Sequence, residues 1–333
     1  MTKFRQAALF GLIVLPLSPV VLLGGTLLYL HVAFALLLQL LRGKRFSLTA
    51  YDPMFARWML HAQGKRPDAA ASELLYALPG MSRLTVALAI NPVLWALRLS
   101  GYAIHMYDYP VYESSNVIDA LGHRTRFFDD AIANTLGEVS QLVLLGAGWD
   151  TRAYHHNHRE GLRVFEVDAP DTQTQKRAAI ERARVDVTGV TFVTADFNRE
   201  SWLEALTEAG FDSNQPTFIL WEGVTPYLEP DAVRATLRTV ADTLPAGSAI
   251  AFEYYALHLV EGTGTGYSRL IAPAARMVGE PWLFGLPCTP AAEQHVAEFL
   301  AQNGGLLLTA YERIGNGEIT EPCDGGLVLA RKE

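Results

Sequence analysis

Residues 143–156 read VLLGAGWDTRAYHH: an apolar run, a Gly-Ala-Gly turn, an acid, and a stretch that can begin a helix. An apolar strand that stops at a glycine turn and hands over to a helix is the opening unit of an alternating α/β fold. Glycine has no Cβ, so Gly146 and Gly148 let backbone N–H groups approach a ligand closely. The two glycines also fit an ordinary tight strand-to-helix turn, and the sequence on either side has to separate these readings.

Towards the C-terminus the pattern is regular. Apolar, β-branched runs fall at 142–145, 163–167, 191–194, 217–220 and 248–252, with helical stretches at 171–184, 200–209 and 230–243 between them. Strands alternating with helices predict a parallel sheet covered on both faces. The last two runs, LLLTAYERIG (306–315) and GGLVLARK (325–332), have no helix between them. They predict an antiparallel hairpin closing the sheet.

Acidic residues recur where these strands end. Asp168 closes RVFEVD, 20 residues after Gly148, where a carboxylate can accept hydrogen bonds from both hydroxyls of a ribose. Both nicotinamide dinucleotides and S-adenosylmethionine present such a ribose. Asp196 and Phe197 close VTFVTADF; an acid beside an aromatic suits an adenine, and a helix N-cap beside a core Phe fits equally well. Glu222, in FILWEGVTPYL, could pair with an ammonium, which a nicotinamide dinucleotide lacks and a methionine moiety carries. The third position of a dinucleotide GxGxxG fingerprint is Thr151 instead of a small residue.

The ordered set RTRFFDDAI, VLLGAGWDTRAY, VFEVDAP, VTADF and WEGVTPYL resembles the leucine carboxyl methyltransferase family. It is similar to the bacterial branch of S-adenosylmethionine-dependent O-methyltransferases linked to polyketide modification, over residues 110–332. The resemblance implies a Rossmann-like class I methyltransferase fold, with a mostly parallel seven-stranded sheet ending in an antiparallel hairpin. It also implies the cofactor, S-adenosylmethionine, and its contacts. Arg124 or Arg126 would hold the methionine carboxylate, and Gly146 and Gly148 would lie against the methionine part. Asp168 would take the ribose, Asp196 and Phe197 the adenine, and Glu222 the amino group. The competing readings are a membrane-associated NAD(P)-dependent dehydrogenase, favoured by Gly-x-Gly with Asp168, and a non-catalytic nucleotide-binding protein.

Methyl transfer from a sulfonium relies on placing the acceptor oxygen in line and keeping water out. A carboxylate acceptor needs no base, whereas a hydroxyl usually does. Tyr227, Tyr254 and Tyr255 are the nearest candidates for a base or orienting group, although each also suits an amphipathic core position. Residues 257–290, with EGTGTGYSRL and PWLFGLP, interrupt the alternation and read as a lid over the acceptor, with Arg269 and Arg276 on it. His155, His156 and His158 lack acidic or cysteine partners nearby, so no metal site is expected.

The N-terminal part is of another kind. Residues 7–41 form 35 positions without a charge, about 52 Å as one helix against a hydrocarbon core of roughly 30 Å. Pro16, Pro19, Gly24 and Gly25 interrupt the run, and Lys3, Arg5, Arg42, Lys44 and Arg45 flank it. Residues 1–45 are therefore expected to be a membrane anchor, either a helical hairpin or a kinked in-plane helix, with the catalytic domain on the cytoplasmic side. A signal peptide is the second reading. Residues 46–114 read as a helical connector or cover, and residues 115–333 as the methyltransferase domain. A net charge of −8 argues against nucleic acid as a partner. Two cysteines are too few for a disulfide framework. The partners expected are a hydrophobic small-molecule acceptor and a membrane.

Overall fold

The computed structural model describes residues 2–41, 51–197, 200–263, 268–277, 279–315 and 321–333. Four helices come first: α1 (Lys3–Leu41), α2 (Tyr51–Ala62), α3 (Ala69–Ala77) and α4 (Arg83–Ser100). The alternating part follows as α5 (Leu121–Thr135), β1 (Gln141–Leu145), α6 (Arg152–His156), β2 (Arg163–Asp168), α7 (Pro170–Ala183), β3 (Val190–Thr194), α8 (Trp202–Glu208), β4 (Thr217–Trp221), α9 (Pro230–Thr243) and β5 (Ala249–Tyr255). It closes with α10 (Leu257–Glu261), α11 (Ser268–Met277), α12 (Ala292–Gln302), β6 (Leu307–Ile314) and β7 (Gly325–Arg331).

The strands form one sheet in the order β3-β2-β1-β4-β5-β7-β6. The pairs from β3 through β5 are parallel, and β7 lies antiparallel between β5 and β6. This is the Rossmann-like class I methyltransferase arrangement. Strands β1, β4 and β5 are buried throughout, as expected where helices cover both faces and each strand reads as a near-continuous apolar run. The chain order reverses between β1 and β4. In such sheets a crevice opens beyond the carboxyl ends of the strands at that point.

Helices α2 to α4 are built into the body. Met54, Trp58, Leu75, Val86 and Leu97 share one apolar core with Leu142 and Leu144 of β1.

The turn expected near Pro16–Gly25 is absent. Helix α1 runs unbroken through Pro16 and Pro19. Proline at position 19 leaves the Leu15 carbonyl without its usual N–H donor, and the Ser18 hydroxyl donates to that oxygen at 2.7 Å. The hairpin instead joins α1 to α4, which run antiparallel. Gly24 faces Leu88 and Ala89, Phe10 faces Tyr102 at 5.2 Å, and Gly80 faces Val32. A Cβ on Gly24 would fall 2.5 Å from the Ala89 nitrogen, so this crossing requires glycine. Arg42, Lys44 and Arg45 lie outside the described residues.

Candidate active site

A cavity of about 420 Å³ opens at the carboxyl ends of β1, β4 and β5. Its floor is the turn after β1. Gly146 and Gly148 both have positive φ, and a Cβ on Gly146 would lie 2.3 Å from a methyl of Val224. Gly146 N and Ala147 N donate to the Val167 carbonyl at 2.8 and 3.0 Å. Gly148 N donates to Asp168 Oδ2 at 2.5 Å, and Ala169 N donates to Oδ1 at 2.7 Å. Asp168 thus clamps the turn from the end of β2, and burial raises its carboxyl above the ordinary range despite those two donors.

Below the turn, Lys176 of α7 is fully buried. Its Nζ donates to the Asp150 carbonyl at 2.8 Å and pairs with Glu166 Oε2 of β2 at 2.7 Å. Burial pushes the Glu166 carboxyl up to about 7, against the pull of Lys176. A buried ammonium needs such partners, and here they fix the carbonyl side of the turn.

Charged groups wall the cavity. Glu222, just past β4, accepts from Arg124 Nε of α5 at 3.0 Å and from Arg57 Nη2 of α2 at 3.2 Å, and also from Arg152 Nη1 of α6. Asp150 takes Arg57 at 2.8 Å and Arg152 at 2.6 Å. Burial alone would raise both acids. Arg152 and Arg57 outweigh it at each, joined by Arg124 at Glu222, and hold both below the usual carboxylate range. Arg152 continues outward to Asp129 at 2.7 Å, which Arg66 also holds, and Arg66 reaches Asp68 at 2.8 Å. Of this network Arg57, Arg124, Asp150 and Glu222 line the cavity, with Asp52 beside them, and Arg57 Nε is buried without a partner.

Behind Glu222 lies Glu253 of β5. Its Oε1 accepts from Gly223 N at 2.5 Å, while Oε2 is buried and unpartnered. Burial pushes this carboxyl up to about 7; Arg124 opposes the rise and Glu222 adds to it.

Arg124 lines the cavity, whereas Arg126 turns away to Glu312, Asp130 and the Val111 carbonyl. Tyr227 and Tyr255 line it too. The Tyr255 hydroxyl lies 3.4 Å from Arg124 Nη1, and its ring lies 4.4 Å from that of Trp282. Burial raises the Tyr255 phenol well above its ordinary value. Tyr254 points to the opposite face of β5, where its hydroxyl meets that of Tyr311 at 3.1 Å. Asp196 and Phe197 stand half-buried at the end of β3, outside the cavity lining. His155 lies 3.4 Å from Asp68, and His158 pairs with Asp186 at the surface.

Apolar side chains close the outer end: Ile118 and Leu121 from the segment leading into α5, Ile271 from α11, and Trp282. From the stretch 257–290, Ile271 and Trp282 line the cavity. Arg276 is exposed, and the side chain of Arg269 lies outside the described residues.

Sequence reasoning missed Arg57, Asp150 and Arg152. The last two sit inside GAGWDTRAY. Arg57 carries a weaker signal: a lone cation in the otherwise apolar run FARWML, where a helix turns a buried face to the core.

The fold and the cavity at its switch point define the class I methyltransferase architecture. Residues 108–241 match the family model described as leucine carboxyl methyltransferase. An inferred S-adenosyl-L-methionine-dependent methyltransferase of Saccharopolyspora erythraea is 39% identical over 140 residues, which are 42% of this chain and 49% of that protein. A protein of the same description from Mycolicibacterium gilvum is 40% identical over 144 residues, 41% of this chain and 45% of that one. The chain spans about half the length of the curated relatives it matches. An inferred methyltransferase of Thermobifida fusca YX superposes with a TM-score of 0.47 at 18% identity, over 84% of this chain and 94% of that one.

Proposed function

We propose that this chain is an S-adenosylmethionine-dependent O-methyltransferase acting on a carboxylate or hydroxyl of a hydrophobic small molecule, polyketide or lipid-like in character. The observation that carries this reading is the pair Arg57 and Arg124, which reach the cavity beside the Gly146–Gly148 turn with Glu222 between them. Two guanidiniums at the cavity, one with a buried unpaired Nε, suit a carboxylate ligand. Glu222 accepts three hydrogen bonds, two on Oε2 and one on Oε1. A carboxylate has about four acceptor positions, so one remains for an ammonium. A carboxylate and an ammonium on one ligand are what an amino-acid moiety presents.

The sheet order supports the rest of the assignment. From β4 across β1 and β2 to β3 is about 14 Å at the usual strand spacing. Along that line stand Glu222 and Arg124 for the methionine end, the glycine turn, Asp168 for the ribose, and Asp196 with Phe197 for the adenine. When bound there, the cofactor supplies a methyl group activated on a sulfonium. The protein's part is placement and exclusion of water. Tyr255, with its raised phenol, stays protonated at neutral pH and serves as a hydrogen-bond donor to an acceptor oxygen instead of a base. Ile118, Leu121, Ile271 and Trp282 give the acceptor an apolar wall.

The same proposal includes membrane attachment through the N-terminal segment, with the catalytic body on the cytoplasmic side. Among the described residues one helix is long and apolar enough to cross a membrane, and 6% of its most apolar window is buried.

Calorimetric titration of the detergent-solubilised protein tests the cofactor reading. Adenosylmethionine and adenosylhomocysteine are expected to bind and NADH not to, with the sulfur ligands lost in Glu222→Ala. Binding of NADH alone would turn the reading to a dehydrogenase.

A further inference from the structure

We propose that α1 does not cross the bilayer but lies within one leaflet, and that α4 is a second lipid-facing helix beside it. This rests on the membrane attachment proposed above and decides its geometry. Contacts between α1 and the body run from Gln6 beside Gly101, through Phe10 on Tyr102 and Gly24 on Leu88–Ala89, to Val32 beside Gly80. That is about 39 Å of helix at the usual rise. Helix α4 is in turn fixed to the body: Val86, Leu94 and Leu97 share the core with Trp58 and Leu75, and Arg98 donates to the Ala62 carbonyl of α2.

A helix held over about 39 Å cannot pass through a hydrocarbon layer of roughly 30 Å without drawing its partners in. Those partners carry Arg83 and Arg98 on α4, and behind it the pairs Lys65–Asp108 and Arg66–Asp68. Ionised groups at that depth are strongly unfavourable. Lying in the plane removes the conflict. The side of α1 turned from α4 exposes Leu12, Leu15, Leu22, Leu30 and Phe34, and α4 adds Leu84, Trp95 and Leu99 along one stripe. An apolar surface on this scale marks a lipid or protein interface. The charges select lipid. Lys3 and Arg5 stand in the first turn of the helix, and in the sequence Arg42, Lys44 and Arg45 come after it, a flanking of the apolar run by basic residues that suits anionic headgroups.

The arrangement also places the cavity. On α2, Asp52, Pro53 and Arg57 line it while Met54 and Trp58 pack into the core shared with α4. One helix layer, about 10 Å, therefore separates the cavity from the lipid-facing helices.

The test uses the full chain in sealed vesicles with the cytoplasmic face outward. Single cysteines are placed by Thr2→Cys, Lys44→Cys and, on the catalytic body, Glu293→Cys, in a Cys288→Ser, Cys323→Ser background. Each is exposed to a membrane-impermeant maleimide. All three are expected to label without permeabilisation. Protection of Thr2→Cys until the vesicles are opened, with the other two labelled, would mean a spanning helix and overturn the proposal. Recovery of the protein in the soluble fraction after flotation would overturn the attachment itself, and so the two failures differ. For α4, brominated lipids are expected to quench part of the tryptophan fluorescence, and Trp95→Phe should remove that part. Quenching unchanged in Trp95→Phe, or quenching by a second copy of the chain in lipid-free detergent, would assign the α4 stripe to another surface.

Discussion

The cavity region and the α1–α4 pair depart from the usual distribution of residues in opposite directions. At the strand ends charged side chains are buried, among them Arg57, Arg124, Arg152, Asp150 and Glu222. Along α1, leucines and phenylalanines stand in the open. Buried charge is tolerated only when paired, and large exposed apolar surface persists only when something covers it. Each departure therefore names the chemistry of an absent neighbour. On the reading proposed above, the first accommodates a zwitterionic ligand beside a self-paired network of guanidiniums and carboxylates, and the second is covered by acyl chains. The glycines make a related contrast on a smaller scale, since Gly146 admits the Val224 side chain beside the turn and Gly24 admits a helix.

The largest effect that would break this comparison lies at the arginines. Arg124→Ala removes a guanidinium from Glu222 and from the cavity, and is expected to weaken adenosylhomocysteine binding about 100-fold, the scale of a lost charge-assisted contact. Arg126→Ala, which loses Glu312 and Asp130 instead, should change that affinity by less than about threefold, as for a charge pair remote from the ligand. Titration calorimetry of both variants decides. Equal losses would mean that the charges act through the fold and not at the ligand.

Next comes Gly146→Ala. The new methyl would meet Val224 at 2.3 Å from a backbone with φ near +65°, which L-residues adopt at a penalty. A loss of about 2 kcal/mol in unfolding free energy is expected, together with weaker cofactor binding. The double variant with Val224→Ala should recover the clash portion but not the conformational portion. Chemical denaturation of the three proteins separates the two.

For the helical pair, Gly24→Leu should destabilise the protein by about 1–2 kcal/mol, because its side chain meets α4 backbone. Gly25→Leu, where nothing lies within 4 Å, should be nearly neutral. Thermal melts in detergent give the comparison, and both variants should still float with lipid. A neutral Gly24→Leu would show that α1 is not held on α4 and would remove the ground for an in-plane helix.

The alternating half was legible because its signals are local. Strands β1 to β5 each announce themselves within a few residues of apolar sequence, and the acids at their ends can be placed by counting. The choice between Arg124 and Arg126 was not legible. Two residues apart on a helix, they differ by about 200° in direction, and only the position of β6 with Glu312 shows which one faces out. Arg57 was hidden for a related reason: it arrives from a helix about 90 residues before the glycine turn, and nothing local to FARWML says where that helix docks. The sequence leaves the N-terminal run as a hairpin or a kinked helix because prolines usually end or bend helices. Here Ser18 compensates one lost donor, and the return limb proved to be α4, more than 40 residues further along the chain.

A last expected effect concerns two acids that are alike only in being buried. Glu222 is held ionised by arginines, whereas Glu253, directly behind it, is raised from 4.5 to about 7. Between those values the unfolded chain has released a proton that the folded protein still holds. The folded state binds more protons there, so stability falls as pH rises from about 4.5 through 7. Glu253→Gln keeps the shape and the acceptor for Gly223 N but removes the titration. Its unfolding free energy should be flatter than that of the parent between pH 5 and 7, by about 2 kcal/mol across the window. Glu166, Asp168 and Asp52, all raised by burial, add slope of the same sign, and His156, lowered by burial to about 4, adds slope of the opposite sign, so the parent and the variant are compared with these groups unchanged. Glu222 and Asp150, lowered by their arginines, act only at more acid pH and do not enter this window. Denaturant titrations at intervals of half a pH unit resolve the difference. An unchanged slope would mean that Glu253 is ionised in the folded protein, and that the region behind Glu222 is wetter and more negative than its burial implies.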